Sequence, residues 1–255
     1  MILEPYFYLI AIVSVFLHGM GKGGFIGAGS FGSLLAIPML SIFIPPFQAV
    51  AILLLPLIFM DLVTVWRYRG LWDIKILKFI VPLAFLGIIF GTLSFSYLSE
   101  DSIRVIIGIM AVIFCLDYYL RKNSAEPSKP SSWGSYFWPS LSGFTSFSIH
   151  AGGLPLSFYL LPMRLDRRIY VATTAIFFLS LNLFKLMPYA YFGQINLENF
   201  YISIFLLPLA PLGVYFGAYL TNKVSQDFFY NLSHFCLILA GLKLVYDGTG
   251  VSLFS

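Results

Sequence analysis

Phe79-Ile-Val-Pro-Leu-Ala-Phe-Leu-Gly-Ile-Ile-Phe-Gly91 returns 126 residues later as Phe205-Leu-Leu-Pro-Leu-Ala-Pro-Leu-Gly-Val-Tyr-Phe-Gly217, with eight of the 13 positions identical. Shared prolines and glycines inside an apolar run point to duplication rather than to a likeness of composition. The same offset pairs Ser99 with Ser225 and Asp101 with Asp227. Upstream it slips to 124, pairing Pro38-Met39 with Pro162-Met163 and Gly29 with Gly153. The chain therefore reads as two halves, 1–121 and 133–255. They are joined by the polar, Pro/Ser-rich linker 122–132, Lys122-Asn-Ser-Ala-Glu-Pro-Ser-Lys-Pro-Ser-Ser132.

The repeat lies in a very apolar chain. Of 255 residues, 59% are apolar and only 10% are charged, where globular proteins carry about 25% charge. Such a chain has too little charge to cover a soluble surface, so it is an all-α polytopic membrane protein. A spanning helix needs about 20 apolar residues, and six segments qualify: 47–66, 74–98, 103–120, 169–192, 200–221 and 228–246. No cleavable leader is expected, because Glu4 and Pro5 stand where a basic start would be. The net charge of +4 sits in short loops and does not indicate nucleic acid. Cys115 and Cys236 lie in apolar runs and read as packing residues rather than a disulfide or metal pair.

Two regions are apolar but interrupted. Runs 6–18 and 31–44 are split by Gly19-Met20-Gly21-Lys22-Gly23-Gly24-Phe25-Ile26-Gly27-Ala28-Gly29. Runs 136–149 and 154–163 are split by His150-Ala151-Gly152-Gly153. Each half is then a broken or re-entrant helical hairpin followed by three transmembrane helices. Basic residues, which favour the inner side, swap between matching loops. Arg67 and Arg69 follow the first long helix, while 192–199 has no Lys or Arg. Pro45-Pro46 has no charge, while the matching turn carries Arg164, Arg167 and Arg168. The repeats are therefore expected to have inverted topology, with the linker inside.

Inverted repeats with discontinuous helices are the sequence mark of a secondary transporter. Backbone in hydrocarbon must be paired unless it lines a cavity or is buried in protein, and helix N-termini at a break favour anions. Glycines can also serve close helix packing alone. Buried ionisable residues are costly and so mark candidate sites. Lys22 in the first break could neutralise an anion, or snorkel to an interface. His150 in the second could bind an anion, relay a proton or hydrogen-bond a loop carbonyl. Lys185 and Asn182 share a helix face. Thr173 and Thr174 could bond substrate oxygens or bond back to the preceding turn. Gly23, Gly24, Gly29, Ser30, Gly152 and Gly153 would supply backbone donors. Asp61 could pair with Lys185 or Arg67, or carry a coupling proton, and Gln48 is a further polar candidate. His18 and His234, in apolar faces, read as packing residues. No enzyme, metal or cofactor motif is present: Gly23 stands where a phosphate loop needs Ser or Thr.

These residues resemble the sulfite exporter TauE/SafE family of bacterial membrane permeases. In the first half the likeness runs through Gly19-Met20-Gly21-Lys22-Gly23-Gly24-Phe25, Ala36-Ile37-Pro38, Pro45-Pro46-Phe47-Gln48-Ala49, Met60-Asp61-Leu62 and Trp66-Arg67-Tyr68-Arg69-Gly70-Leu71-Trp72-Asp73. In the second it runs through His150-Ala151-Gly152-Gly153-Leu154-Pro155, Tyr159-Leu160-Leu161-Pro162, Ala172-Thr173-Thr174, Asn182-Leu183-Phe184-Lys185 and Gly241-Leu242-Lys243. Gly27-Ala28-Gly29-Ser30 departs from a denser glycine run in many members. The resemblance implies a multi-pass protein of the inner (plasma) membrane that exports sulfite or organosulfonates such as sulfoacetate. Residues and resemblance together predict alternating access around a midplane anion site, with the lipid bilayer and a small anion as partners. An anion channel on the same scaffold, or a membrane-embedded enzyme or assembly factor, are the alternatives.

Overall fold

The computed structural model describes residues 5–25, 36–37, 40, 43–44, 46–94, scattered positions between 101 and 119, and 131–249. The described elements are α1 (Pro5–Lys22), α2 (Pro46–Arg67), α3 (Ile74–Ser94), α4 (Ser132–Ile149), α5 (Gly153–Leu160, ending in a 3-10 turn at Leu161–Met163), α6 (Arg167–Tyr191), α7 (Leu197–Leu206), α8 (Leu209–Lys223) and α9 (Gln226–Gly248). Among the described residues, three stretches are long and apolar enough to cross a membrane: Gln48–Arg67, Ile74–Ser94 and Arg167–Tyr191. At 1.5 Å per residue each covers the roughly 30 Å hydrocarbon layer. The helix α9 covers the expected 228–246 span. The expected span 103–120 falls largely outside the described residues, as do Gly29 and Ser30.

The expected single helix over 200–221 is instead a pair, α7 and α8, bent by 41°. Pro208 and Pro211 lie within one turn. A proline lacks the N–H that would continue the ladder, and its ring crowds the carbonyl one turn back. Leu207 and Ala210 bond instead to the carbonyls of Ile204 and Leu207, three residues back. The matching stretch of α3 has Pro82 but Phe85 in place of the second proline, and it runs unbroken.

The first break also starts later than the glycine run suggests. The helix α1 continues through Gly19 and Gly21 to Lys22, and Gly23 N–H still bonds the Gly19 carbonyl at 2.9 Å. Packing makes this possible. A Cβ on Gly19 would stand 3.0 Å from Gly213 Cα, and one on Gly23 would overlap the Val214 carbonyl. Gly19 on α1 and Gly23 just past its end thus meet Gly213 and Gly217, four apart on α8, at backbone contact. The helix ends where Gly24 turns left-handed at φ +100°. On the other side of the molecule α4 lies on α3 in the same way. A Cβ on Gly143 would overlap the Ala84 carbonyl, and one on Gly87 the Ser140 carbonyl.

The two glycine-locked pairs flank α2 and α6, which cross in the interior. Polar ties fix helix starts to neighbours. Asp73 N–H donates to Thr173 Oγ1 at 3.0 Å, and Gln48 Nε2 donates to Asn199 Oδ1 at 3.0 Å. The Asp73 and Asp166 carboxylates cap α3 and α6 by accepting from first-turn amides. Near the end of α9, Lys243 pairs with Asp247 at 2.7 Å, which explains a basic residue in an otherwise apolar stretch. Cys115 is a free, buried thiol, and the side chain of Cys236 lies outside the described residues.

Gly213→Leu and Gly143→Leu are each expected to break one helix pair. Overpacking at backbone contact costs about 1–3 kcal/mol or more, which should appear as a lowered unfolding temperature of the detergent-purified protein.

Candidate functional site

The interior between α1, α2, α4 and α6 holds the buried polar groups. Lys22 is the last residue of α1, where a cation meets the negative end of the helix dipole. Its Nζ lies 2.7 Å from Asp61 Oδ1, in an ion pair 10% and 0% exposed, and 4.4 Å from the Phe178 ring centroid. The other carboxylate oxygen of Asp61 accepts from Asn182 Nδ2 at 2.8 Å. Asp61 is therefore satisfied from both sides, by Lys22 rather than by the expected Lys185 or Arg67. The reason is that α1 stays helical for one turn longer, which carries Lys22 down to the level of Asp61.

One turn along α6, the fully buried Lys185 has a different set of partners. Its Nζ donates to the Ser146 carbonyl at 3.0 Å, to Ser146 Oγ at 3.1 Å and to His150 Nδ1 at 3.0 Å. Three acceptors match the three N–H bonds of an ammonium group, and none is a carboxylate. His150 faces the Val50 carbonyl through Nε2 at 3.2 Å, so Nε2 carries the proton and Nδ1 accepts. His150 closes α4 in a left-handed conformation, φ 52°, and this strained turn aims its ring back at Lys185. Gly152 packs against the same wall, since a Cβ there would stand 2.7 Å from Ser146 Cβ and 2.6 Å from the Ser142 carbonyl. The helix α5 begins at Gly153.

Both broken helices have their last carbonyls paired by a neighbour. Tyr68 OH donates to the Gly23 carbonyl at 3.1 Å, and Thr64 Oγ1 shares its hydrogen between the Met60 carbonyl at 2.8 Å and, more weakly, the Lys22 carbonyl at 3.4 Å. Lys185 and Tyr189 OH donate to the Ser146 and Phe147 carbonyls, the latter at 2.8 Å. Tyr68 lies just past the end of its span. Burial pushes its phenol above the ordinary value, more than Arg67, Arg168 and Arg167 lower it, which keeps it a donor.

The structure thus brings Lys22, Asp61, Asn182, Lys185, His150 and Gly152 together. Gly23 and Gly24 serve the α1–α8 contact and the turn after it. Thr173 holds the start of α3, Thr174 bonds back to the Val171 carbonyl at 2.9 Å, and Gln48 holds Asn199. Sequence reasoning missed Ser146, Thr64 and Tyr189. A signal for Ser146 existed, because the 124 offset that pairs Pro38 with Pro162 also pairs Lys22 with Ser146 and Asp61 with Lys185.

Asp61→Leu should leave the Lys22 ammonium stranded and destabilise the protein by about 3–5 kcal/mol. Adding Lys22→Met should restore most of that loss. Thermal unfolding of the two single variants and the double variant checks both outcomes.

Residues 11–244 match the family model described as Sulfite exporter TauE/SafE. Neither a curated protein nor a solved structure matches the chain. With nearly its whole length covered by that match, and with membrane-length apolar helices around a buried polar centre, the chain belongs to the TauE/SafE sulfite exporter family of membrane transporters.

Proposed function

We propose that this protein is a secondary transporter of the inner membrane that exports a small sulfur oxyanion or organosulfonate by alternating access. The observation that carries the reading is Lys185, a fully buried lysine whose partners are a carbonyl, a hydroxyl and an imidazole. With Asp61 committed to Lys22, a protonated Lys185 would be a second cation with no carboxylate of its own. An anion would balance the second cation. Ser146, which holds Lys185, also touches Gly152 at the break before α5. The Gly152 and Gly153 N–H groups at that break would bind oxyanion oxygens together with Lys185, since the Leu154 and Leu156 N–H groups bond the Ala151 and Gly152 carbonyls and Pro155 has none. Substrate contacts are assigned to Lys185, His150, Asn182 and the Gly152-Gly153 backbone, with Lys22 held by Asp61 as a second cation.

The proposed architecture is a pair of inverted repeats, 1–121 and 133–255. Matching contacts support it. The helix α1 of the first half lies on α8 of the second, and α4 of the second lies on α3 of the first. Gly213 meets the Phe16 carbonyl and Gly87 the Ser140 carbonyl. The two glycines differ by 126 and the two carbonyls by 124, the offsets of the sequence repeat. Each glycine-locked pair combines one helix from each half, and movement of these pairs about the α2–α6 crossing would switch access.

In proteoliposomes, sulfite or sulfoacetate flux should saturate with concentration, and flux that does not saturate would select a channel instead. Lys185→Met should lower the flux at least tenfold while the protein stays folded. In a Cys115→Ser, Cys236→Ser background, single cysteines at positions 70 and 194 should label from opposite sides. Labelling from the same side would remove the inverted topology.

A further inference from the structure

One buried ionisable group of the centre takes no part in this network. His18 lies one turn before Lys22 on the same face of α1. It is 3% exposed, and its Nδ1 is buried without a hydrogen-bond partner among the described residues. Other buried polar side chains of the centre are bonded. Ser142 donates to the Gly152 carbonyl at 2.6 Å, Thr145 to the Leu141 carbonyl at 2.9 Å, and Asn182 and His150 are paired as described. A buried polar atom with no partner is costly, and an apolar side chain would fill the same space without that cost. Both Lys22 and Lys185 contribute to the electrostatic environment of the ring. No carboxylate is bonded to it. An imidazole with an unused nitrogen, one helical turn from Lys22, is suited to an anion that brings its own acceptor oxygens.

We propose that His18 is a substrate-contacting residue of the central site, donating an imidazole hydrogen bond to an oxygen of the bound oxyanion. The inference rests on the anion reading above and deepens it. Lys22 and Lys185 supply charge, which any anion satisfies, whereas His18 supplies a directed donor from α1. Such a donor favours anions with several exposed oxygens, such as sulfite and sulfonates, over halides. Because α1 and α6 belong to different halves of the chain, one oxyanion held by His18 and Lys185 would tie the halves together.

The test uses the full-length protein in detergent, with sodium sulfite, a short alkyl sulfonate and chloride as probes in calorimetric titrations. His18→Leu should weaken sulfite and sulfonate binding about tenfold or more, the size of a lost hydrogen bond to a charged group. Chloride binding and the unfolding temperature should not fall. His18→Asn, whose amide can stand near Nδ1, should stay within a few-fold of wild type. A His18→Leu protein that binds sulfite as wild type does would overturn the proposal. A second readout does not depend on how the variants fold. The chain has three histidines, so ring-15N-labelled histidine gives few signals, and sulfite should shift those lost in His18→Asn. Sulfite binding with the His18 signals unmoved refutes the contact alone. A wild-type protein that binds neither sulfite nor the sulfonate refutes the anion reading and the His18 contact with it.

Discussion

A helix that stops inside a membrane protein leaves its last carbonyls without intrahelical partners, and hydrocarbon offers no water to replace them. This constraint shapes the centre of the molecule. The helices α1 and α4 both stop in the interior, and the carbonyls of Lys22, Gly23, Ser146 and Phe147 are met by Thr64, Tyr68, Lys185 and Tyr189. The donors come from α2 and from the residue just after it, and from α6, the two helices that cross there. The polar content of the crossing helices follows from the broken ends they serve. One of these donors, Lys185, also brings a charge.

The helix ends also set the sign of the local field. Both are C-terminal ends, and so partly negative. Each holds a lysine: Lys22 on α1 itself, and Lys185 reaching α4 from α6. The two cations are balanced differently. Lys22 has a full carboxylate in Asp61, which Asn182 helps to position. Lys185 has only dipoles, those of a carbonyl, a hydroxyl and an imidazole. In the proposed site an arriving anion would therefore meet Lys22 held by a carboxylate and Lys185 held by weaker partners that it can supplement.

Much of this architecture could be read from the sequence. The repeat, the two breaks and the short roster of buried ionisable residues follow from local pattern. Those patterns are strong because charge and glycine are expensive inside apolar helices. Partner choice could not be read in the same way. Glycine is a poor helix former in isolation, so the run from Gly19 looked like the break itself. Contact with Gly213 and Gly217 on a helix about 190 residues away in sequence favours the helical form. That extra turn decides that Lys22, and not Lys185, reaches Asp61. The bend between α7 and α8, where the apolar pattern predicts one helix over 200–221, follows from Pro208 and Pro211 together, whereas the single proline of the matching α3 stretch is tolerated. The difference lies in the second proline rather than in the repeat pattern.

The pairing of Lys22 with Asp61 bears on what the site can do. Two free lysines at the centre would hold a small anion tightly, and a carrier must also let its cargo go. Committing one lysine to a carboxylate leaves a net surplus of one charge, enough to favour a monoanion over an unbalanced site. Asp61 also sets a direction of change. An anion that approaches Lys22 must compete with a carboxylate already 2.7 Å away, so full engagement of both lysines requires Asp61 to yield. The helix α2, which carries Asp61, would then shift relative to α1 and its glycine-locked partner α8. In the proposed mechanism, binding at the centre and movement of the helix pairs would thereby be linked through Asp61.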